Sequence, residues 1–182
     1  MIVLIAGPSG IGKTTVLKEL TPRFPDASFV SLDDVTAEMA LQRSLIGRSS
    51  ISLLYRTIAD PDKFLDLGLE ALRLHVDRNS YNHLVVDVGA GFQISKNALS
   101  CFHEFKVVAL LAEPSVALAR IRTRNPMQKK HFMDQEFSQQ RRLLYSSAHA
   151  EVQTAYKSIQ MTCDEVSAIL SGWFDQSDQQ QG

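Results

Sequence analysis

The sequence predicts an α/β fold in which a parallel sheet is covered by helices on both faces. Three observations predict it. Short apolar runs without polar alternation, the pattern of strands buried on both sides, recur along the chain. Segments with helical apolar spacing separate those runs, which implies βαβ units with right-handed crossovers. The length of 182 residues, with 45% hydrophobic and 21% charged residues, fits one domain with a real core.

The elements follow in order. Ile2 to Ala6 is the first apolar run and ends at Gly7. Thr14 to Leu20 reads as a helix that stops before Pro22, and Ser28 to Val30 is a weaker strand. A helix through Val35, Met39 and Leu41 comes next, then one opened by Pro61 with Phe64, Leu65, Leu69, Leu72 and Val76 along one side. Leu84 to Val86 and Val107 to Leu111 are further strands, and Pro114 opens a helix through Arg122. Thr162 with Glu165 fits a capping box ahead of Val166, Ile169, Leu170 and Trp173. Trp173 and Phe174 read as core for that helix. We expect a single domain over 1–174 and a frayed polar tail over 175–182.

Composition excludes several classes of function. Lys plus Arg is 19 and Asp plus Glu is 20, a net charge of −1, which gives no whole-chain signature of a nucleic-acid coat or polybasic membrane binder. Arg120 to Arg142, however, holds seven basic residues against Asp134 and Glu136, a local +5, so the rest of the chain sums to −6. Cys101 and Cys163 are too few for a disulfide framework and read as reduced thiols. The five histidines (His75, His83, His103, His131 and His149) show no metal spacing and read as surface or capping residues. The first apolar run is too short for a signal sequence or a membrane span, so the expected location is the cytoplasm.

One motif carries specific chemistry. Gly7-Pro8-Ser9-Gly10-Ile11-Gly12-Lys13-Thr14 fits GxxxxGK[ST], the Walker A phosphate loop, and sits between an apolar run and a helix as that motif requires. Its glycines let backbone N–H groups close around a polyphosphate at the positive end of a helix. Lys13 would reach the β- and γ-phosphates, the Thr14 hydroxyl would bind Mg²⁺, and Thr15 completes the loop. ATP and Mg²⁺ are therefore the expected cofactors, and the fold becomes a three-layer P-loop NTPase.

Other residues gather around that loop. Asp33 and Asp34 follow the second strand, at the sheet edge where ligands of open α/β sheets collect. A carboxylate there can take the proton of an attacking hydroxyl, or can cap the next helix. Asp87, at the end of an apolar strand, is placed like a Walker B carboxylate and is the second expected metal ligand. The Arg120 to Arg142 segment can be a lid on a nucleotide, a nucleic-acid patch with thin aromatic interleaving, or a solvated helix face.

From Gly7 to Thr15, through Asp33-Asp34, Gly47-Arg48-Ser49, Gly89-Ala90-Gly91 and Arg124-Asn125-Pro126, to Arg141 four residues before Tyr145, the order of short motifs resembles that of shikimate kinases. The resemblance spans nearly the whole chain. It implies a five-stranded parallel sheet, ATP-dependent transfer to a hydroxyl of a small, anionic metabolite, and a mobile lid over about 120–137. It also implies Asp33 as the base-like residue and Arg124 on the transferring phosphoryl group. Arg120 or Arg122 would pack on the adenine, Gly89-Ala90-Gly91 would form a turn that the substrate approaches, and Arg141 would pair with the acceptor's carboxylate.

The chain departs from that pattern in places. Ser31 stands where the family carries another acid, Ala90 where it carries a third glycine, and Leu65 and Gly68 where it carries a carboxylate-binding arginine and a glutamate. These departures motivate a second hypothesis, a nucleotide-binding or regulatory protein without transfer activity. A nucleoside monophosphate kinase is a rival within the enzyme class, but no arginine follows the Asp87 turn, where Phe92-Gln93 stands. The expected partner is a small hydroxyl acceptor, with no nucleic acid and no membrane.

Overall fold

The structure, a computed structural model, describes residues 1–124 and 134–179, with side chains for all of these except 122–124. Five strands form one sheet: β1 (Ile2–Ala6), β2 (Ala27–Ser31), β3 (His83–Asp87), β4 (Lys106–Leu111) and β5 (Ala150–Gln153). Their order is β2-β3-β1-β4-β5, and every pairing is parallel. Central β1 pairs on both edges, with Leu4 opposite Val86 on one side and Val107 on the other.

The unalternated strand sequences are explained by burial on both faces. Leu4, Ala6, Val86, Val107 and Ala109 belong to one core cluster, whereas Val3, Ile5, Val85, Val108 and Leu110 belong to the other. Successive residues point to opposite faces, so a strand between two helical layers must be apolar throughout.

The described helices are α1 (Lys13–Leu20), α2 (Leu32–Gln42), α3 (Ile51–Thr57), α4 (Pro61–Arg78), α5 (Ala98–Glu104), α6 (Pro114–Arg124), α7 (Gln139–Ser146) and α8 (Ile159–Gln179). Residues of α2, α4, α5 and α7 (Leu32, Phe64, Leu72, Phe102, Leu144) cover the first face. Residues of α1 and α8 (Val16, Leu20, Val166, Leu170, Phe174) cover the second. No helix among the described residues is long and apolar enough to cross a membrane.

Three local expectations change. The last helix starts at Ile159 rather than at Thr162: the Ser158 hydroxyl accepts the N–H of Met161, while Thr162 is buried inside the first turns and donates to the Ser158 carbonyl. The same helix runs on through Gln179, beyond the point where the sequence suggests fraying, because Phe174 and Ser177 are buried and Asp178 reaches His83. His83 is accordingly not a surface residue. It is buried, with its ring stacked on Phe174 at a centroid distance of 4.0 Å. Both cysteines are free and buried, as expected.

Candidate active site

The crossover pattern brings the ends of β1, β2 and β3 together at one edge of the sheet, and the loop after each strand contributes to the site. The phosphate loop, Gly7 to Thr14, leaves the central strand. Gly12 ends it as the residue before α1 with φ 106°, a left-handed conformation that a side chain would strain. Lys13 is buried. Its Nζ donates to the carbonyls of Gly7 at 2.8 Å and Pro8 at 3.1 Å. Burial lowers its pKa, and the nearby carboxylates of Asp87, Glu136 and Asp33 oppose that shift.

Asp87 ends β3 beside the loop. The Thr14 hydroxyl donates to Asp87 Oδ2 at 2.8 Å, and Asp87 Oδ1 is buried without a hydrogen-bond partner among the described residues. Burial raises the Asp87 pKa, offset in part by Lys13 and by the Thr14 hydrogen bond. A hydroxyl and a carboxylate with a spare oxygen fit Mg²⁺, which keeps several waters and takes only one or two protein oxygens beside phosphate. No cluster of three or more His, Cys, Asp or Glu residues suited to a metal occurs among the described residues.

Asp33 lies in the first turn of α2, and Ser31, not either aspartate, caps that helix: the Ser31 hydroxyl accepts the N–H of Asp34. Relieved of capping, the Asp33 side chain turns into the site, where Oδ1 is buried and unpartnered among the described residues. Burial, then the neighbouring Asp87, raises its pKa to about 6, with Lys13 pulling the other way. Asp34 is exposed.

The Gly89-Ala90-Gly91 turn has a different physical reason from the one expected. A Cβ on Gly89 would lie 2.1 Å from Asp33 Oδ1, and one on Gly91 would lie 1.0 Å from the Tyr55 hydroxyl oxygen. The glycines therefore make room for two side chains of the protein itself. Tyr55 stacks on Phe64 at 4.2 Å and Phe64 packs on Phe92 at 4.6 Å, so an aromatic column joins the site to the core. The Tyr55 hydroxyl is buried with no hydrogen-bond partner among the described residues. Gln93 Nε2 donates to the Val88 carbonyl at 3.0 Å and lies 3.4 Å from that of Gly7, bracing the turn against the phosphate loop.

Arg141 comes from α7 and is buried. It donates to the Ala90 carbonyl at 2.8 Å and forms an ion pair with Glu136, which is equally buried. The Glu136 carboxylate reaches further: its Oε2 accepts the Ser9 N–H of the phosphate loop at 2.8 Å. Arg48 and Arg56 are both exposed, and Leu65 is buried in the core beside Phe64.

On the other side of the loop, Arg120 donates to the Ile11 carbonyl at 3.1 Å, the Thr154 hydroxyl at 3.0 Å and the Thr154 carbonyl at 2.9 Å. It lines a cleft of about 370 Å³ with Gly10, Gly12, Thr15, Thr154 and Lys157, where a nucleotide base could lie against the loop. The Arg122 and Arg124 side chains, and most of the expected lid, lie outside the described residues. The structure thus brings Lys13, Thr14, Asp33, Asp87, Ala90 and Arg141 together, with Arg120 at the base cleft. Sequence reasoning missed Tyr55, Glu136, Gln93 and Thr154. The one available signal was Glu136, an acid in an otherwise basic stretch.

A five-stranded parallel sheet with a phosphate loop leaving its central strand is the fold of P-loop NTPases. Among solved structures, the shikimate kinase of Bacteroides thetaiotaomicron matches with a TM-score of 0.69 at 18% identity, covering 94% of this chain and 98% of that one. The shikimate kinase of Aquifex aeolicus gives 0.68 at 22%, covering 94% and 97%. The tunicamycin resistance protein of Deinococcus radiodurans gives 0.59 at 20%, covering 93% and 94%. No family model and no curated protein sequence matches the chain. The chain has a shikimate kinase-like P-loop fold.

Proposed function

We propose that this protein is an ATP-dependent phosphotransferase acting on a hydroxyl of a small metabolite. The observation that carries the reading is Asp33, a half-buried carboxylate whose buried Oδ1 has no hydrogen-bond partner among the described residues, held within electrostatic reach of Lys13 and Asp87 beside the phosphate loop. ATP bound with Mg²⁺ supplies the phosphoryl group and the charge neutralisation that makes it transferable. Thr14 and Asp87 are the residues that would hold the metal. Asp33 takes the proton of the acceptor hydroxyl as its oxygen bonds to the γ-phosphorus; the bond from that phosphorus to the β–γ bridging oxygen breaks, and the products are ADP and a phosphate monoester. Lys13, freed from the Gly7 and Pro8 carbonyls, stabilises the charge on the transferring group. Arg124 is assigned the same task by family resemblance alone.

A coupled ADP-release assay over hydroxy acids, sugars, cyclitols and amino-alcohols tests the reading. Acceptor-dependent turnover that is lost in Lys13→Ala and in Asp33→Ala, the latter still binding ATP, supports it. Nucleotide binding without turnover on any acceptor favours a regulatory nucleotide-binding protein, the reading that a carboxylate already seated on the loop at Ser9 would suit. The fold leaves the acceptor open, since solved structures on it include shikimate kinases and a tunicamycin resistance protein.

A further inference from the structure

Resting on the phosphotransferase reading, the inference concerns the charge of the acceptor. The residues gathered around Asp33 and the Gly89-Ala90-Gly91 turn are Tyr55, Gln93, Arg141, Glu136 and Tyr145. Arg141 would be the natural fork for an acid group. It is already engaged: its ion pair with Glu136 is buried on both sides, with side chains only 3% and 4% exposed, and its second nitrogen is held by the Ala90 carbonyl. A buried pair of this kind is costly to break, because either partner alone would be an uncompensated charge.

With that pair closed, the group carries two carboxylates against one guanidinium. Tyr55 feels Asp33 first, then Arg141 and Glu136, and Tyr145 feels Arg141 and Glu136, so these groups form one electrostatic neighbourhood. Among the described residues, the buried side-chain atoms here without a hydrogen-bond partner are the Tyr55 and Tyr145 hydroxyls, Gln93 Oε1, Asp33 Oδ1 and Arg141 Nη1, the last of which lies in the ion pair with Glu136. The other described arginines near α3, Arg48 and Arg56, are exposed. A carboxylate brought against these residues would meet Asp33 and Glu136, while the described cations nearby, Arg141 and Lys13, are already held by Glu136 and by the Gly7 and Pro8 carbonyls; hydroxyl groups would instead satisfy Tyr55, Gln93 and Asp33.

We propose that the acceptor is a hydroxyl-rich compound without an acid group, and that Glu136 is the residue that excludes acids by neutralising Arg141. The test uses shikimate and its uncharged carboxamide, which present the same ring hydroxyls, titrated into the full chain saturated with Mg²⁺-ADP. The wild-type protein should bind the carboxamide at least tenfold more tightly than the acid. Glu136→Gln, which keeps an oxygen for Ser9 but drops the charge, should tighten binding of the acid at least tenfold, and adding Arg141→Met should remove that gain.

Wild-type protein that prefers the acid would overturn the proposal, and so would a Glu136→Gln protein whose acid-to-amide ratio is unchanged. The wild-type comparison does not depend on any variant folding. Failure of the phosphotransferase reading is read separately, as no ADP release with neutral, basic or acidic acceptors, and it leaves the binding ratio intact.

Discussion

Glu136 accepts the Ser9 N–H across 127 residues of sequence, placing a buried carboxylate on a loop whose geometry favours phosphate. Burial lowers the Lys13 pKa and the same carboxylate opposes that shift, so Glu136 acts electrostatically on the lysine of the loop. Glu136→Gln should therefore bind ATP about tenfold more tightly, from relief of roughly 1.4 kcal/mol of like-charge repulsion. ADP, which lacks the γ-phosphate, should gain much less. Calorimetric titration of both nucleotides checks this; equal gains, or none, would show that the carboxylate does not face the triphosphate.

Asp33 must be ionised to act as a base, and its pKa is raised to about 6 by burial and by Asp87. The value of kcat/KM should fall below about pH 6 with the loss of one proton-accepting group, since this quantity reports the free enzyme. Asp33→Asn should lower turnover by about 10² to 10⁴ while ATP affinity stays within about twofold. A pH profile that is flat from about 5 to 8 in the wild type would remove Asp33 from the proton transfer.

The same shift has a consequence for stability. The folded pKa lies above the ordinary 3.8, so the fold favours protonated Asp33: this contribution is complete below about pH 4 and is lost as pH rises through about 6. Asp33→Asn should then be more stable than wild type at pH 8, by up to about 3 kcal/mol, and the two should converge near pH 3.5. Urea unfolding at the two pH values measures the difference. A gap of constant size would show that the carboxylate's charge is not what the fold resists.

Gly91 and Tyr55 are sterically coupled, since a Cβ on Gly91 would fall 1.0 Å from the Tyr55 hydroxyl oxygen and 1.8 Å from its ring carbon. Gly91→Ala should cost about 2 kcal/mol by displacing Tyr55 from its stack on Phe64. In a Tyr55→Ala background the same change should cost well under half as much, giving a clear coupling in a double-mutant cycle. Additive effects would mean that the turn needs glycine for its backbone alone.

Ser158 and Thr162 compete for the start of α8, and Ser158 holds the Met161 N–H. Ser158→Ala should destabilise by about 1 kcal/mol, as loss of an N-cap does. Glu165→Ala should change stability by less than about 0.5 kcal/mol, because it removes only an exposed pair with Lys157. Thermal unfolding of the two variants distinguishes the assignments, and a larger loss in Glu165→Ala would restore the capping box.

What could be read in the sequence was what is local along the chain. The phosphate loop is a strand, six loop residues and a helix in succession, so its chemistry and its position are written together. β1, β3 and β4 announce themselves because both faces are buried. β5 does not: of Ala150–Gln153 only Val152 is fully buried, since the strand lies at the sheet edge, and four such residues read as loop. Thr162 matched a capping pattern, but the core needed its side chain inside, and the cap fell to the serine four residues earlier. Tyr55 and Glu136 reach the phosphate loop and its neighbouring turn through contacts with the distant Gly91 and Ser9, and no short pattern encodes a meeting of distant segments.

Arg120 ties the Ile11 carbonyl to Thr154 with three hydrogen bonds, so the base side of the cleft is held by the protein's own contacts. The acceptor side is different, because Tyr55 and the Glu136–Arg141 pair stand in it. On the proposed phosphotransfer reading, a cleft already formed on the nucleotide side predicts an order of ligands: nucleotide first, acceptor second, and ADP last to leave. Product inhibition makes that order visible, with ADP competing against ATP at every acceptor concentration and the phosphorylated product competing against neither substrate alone.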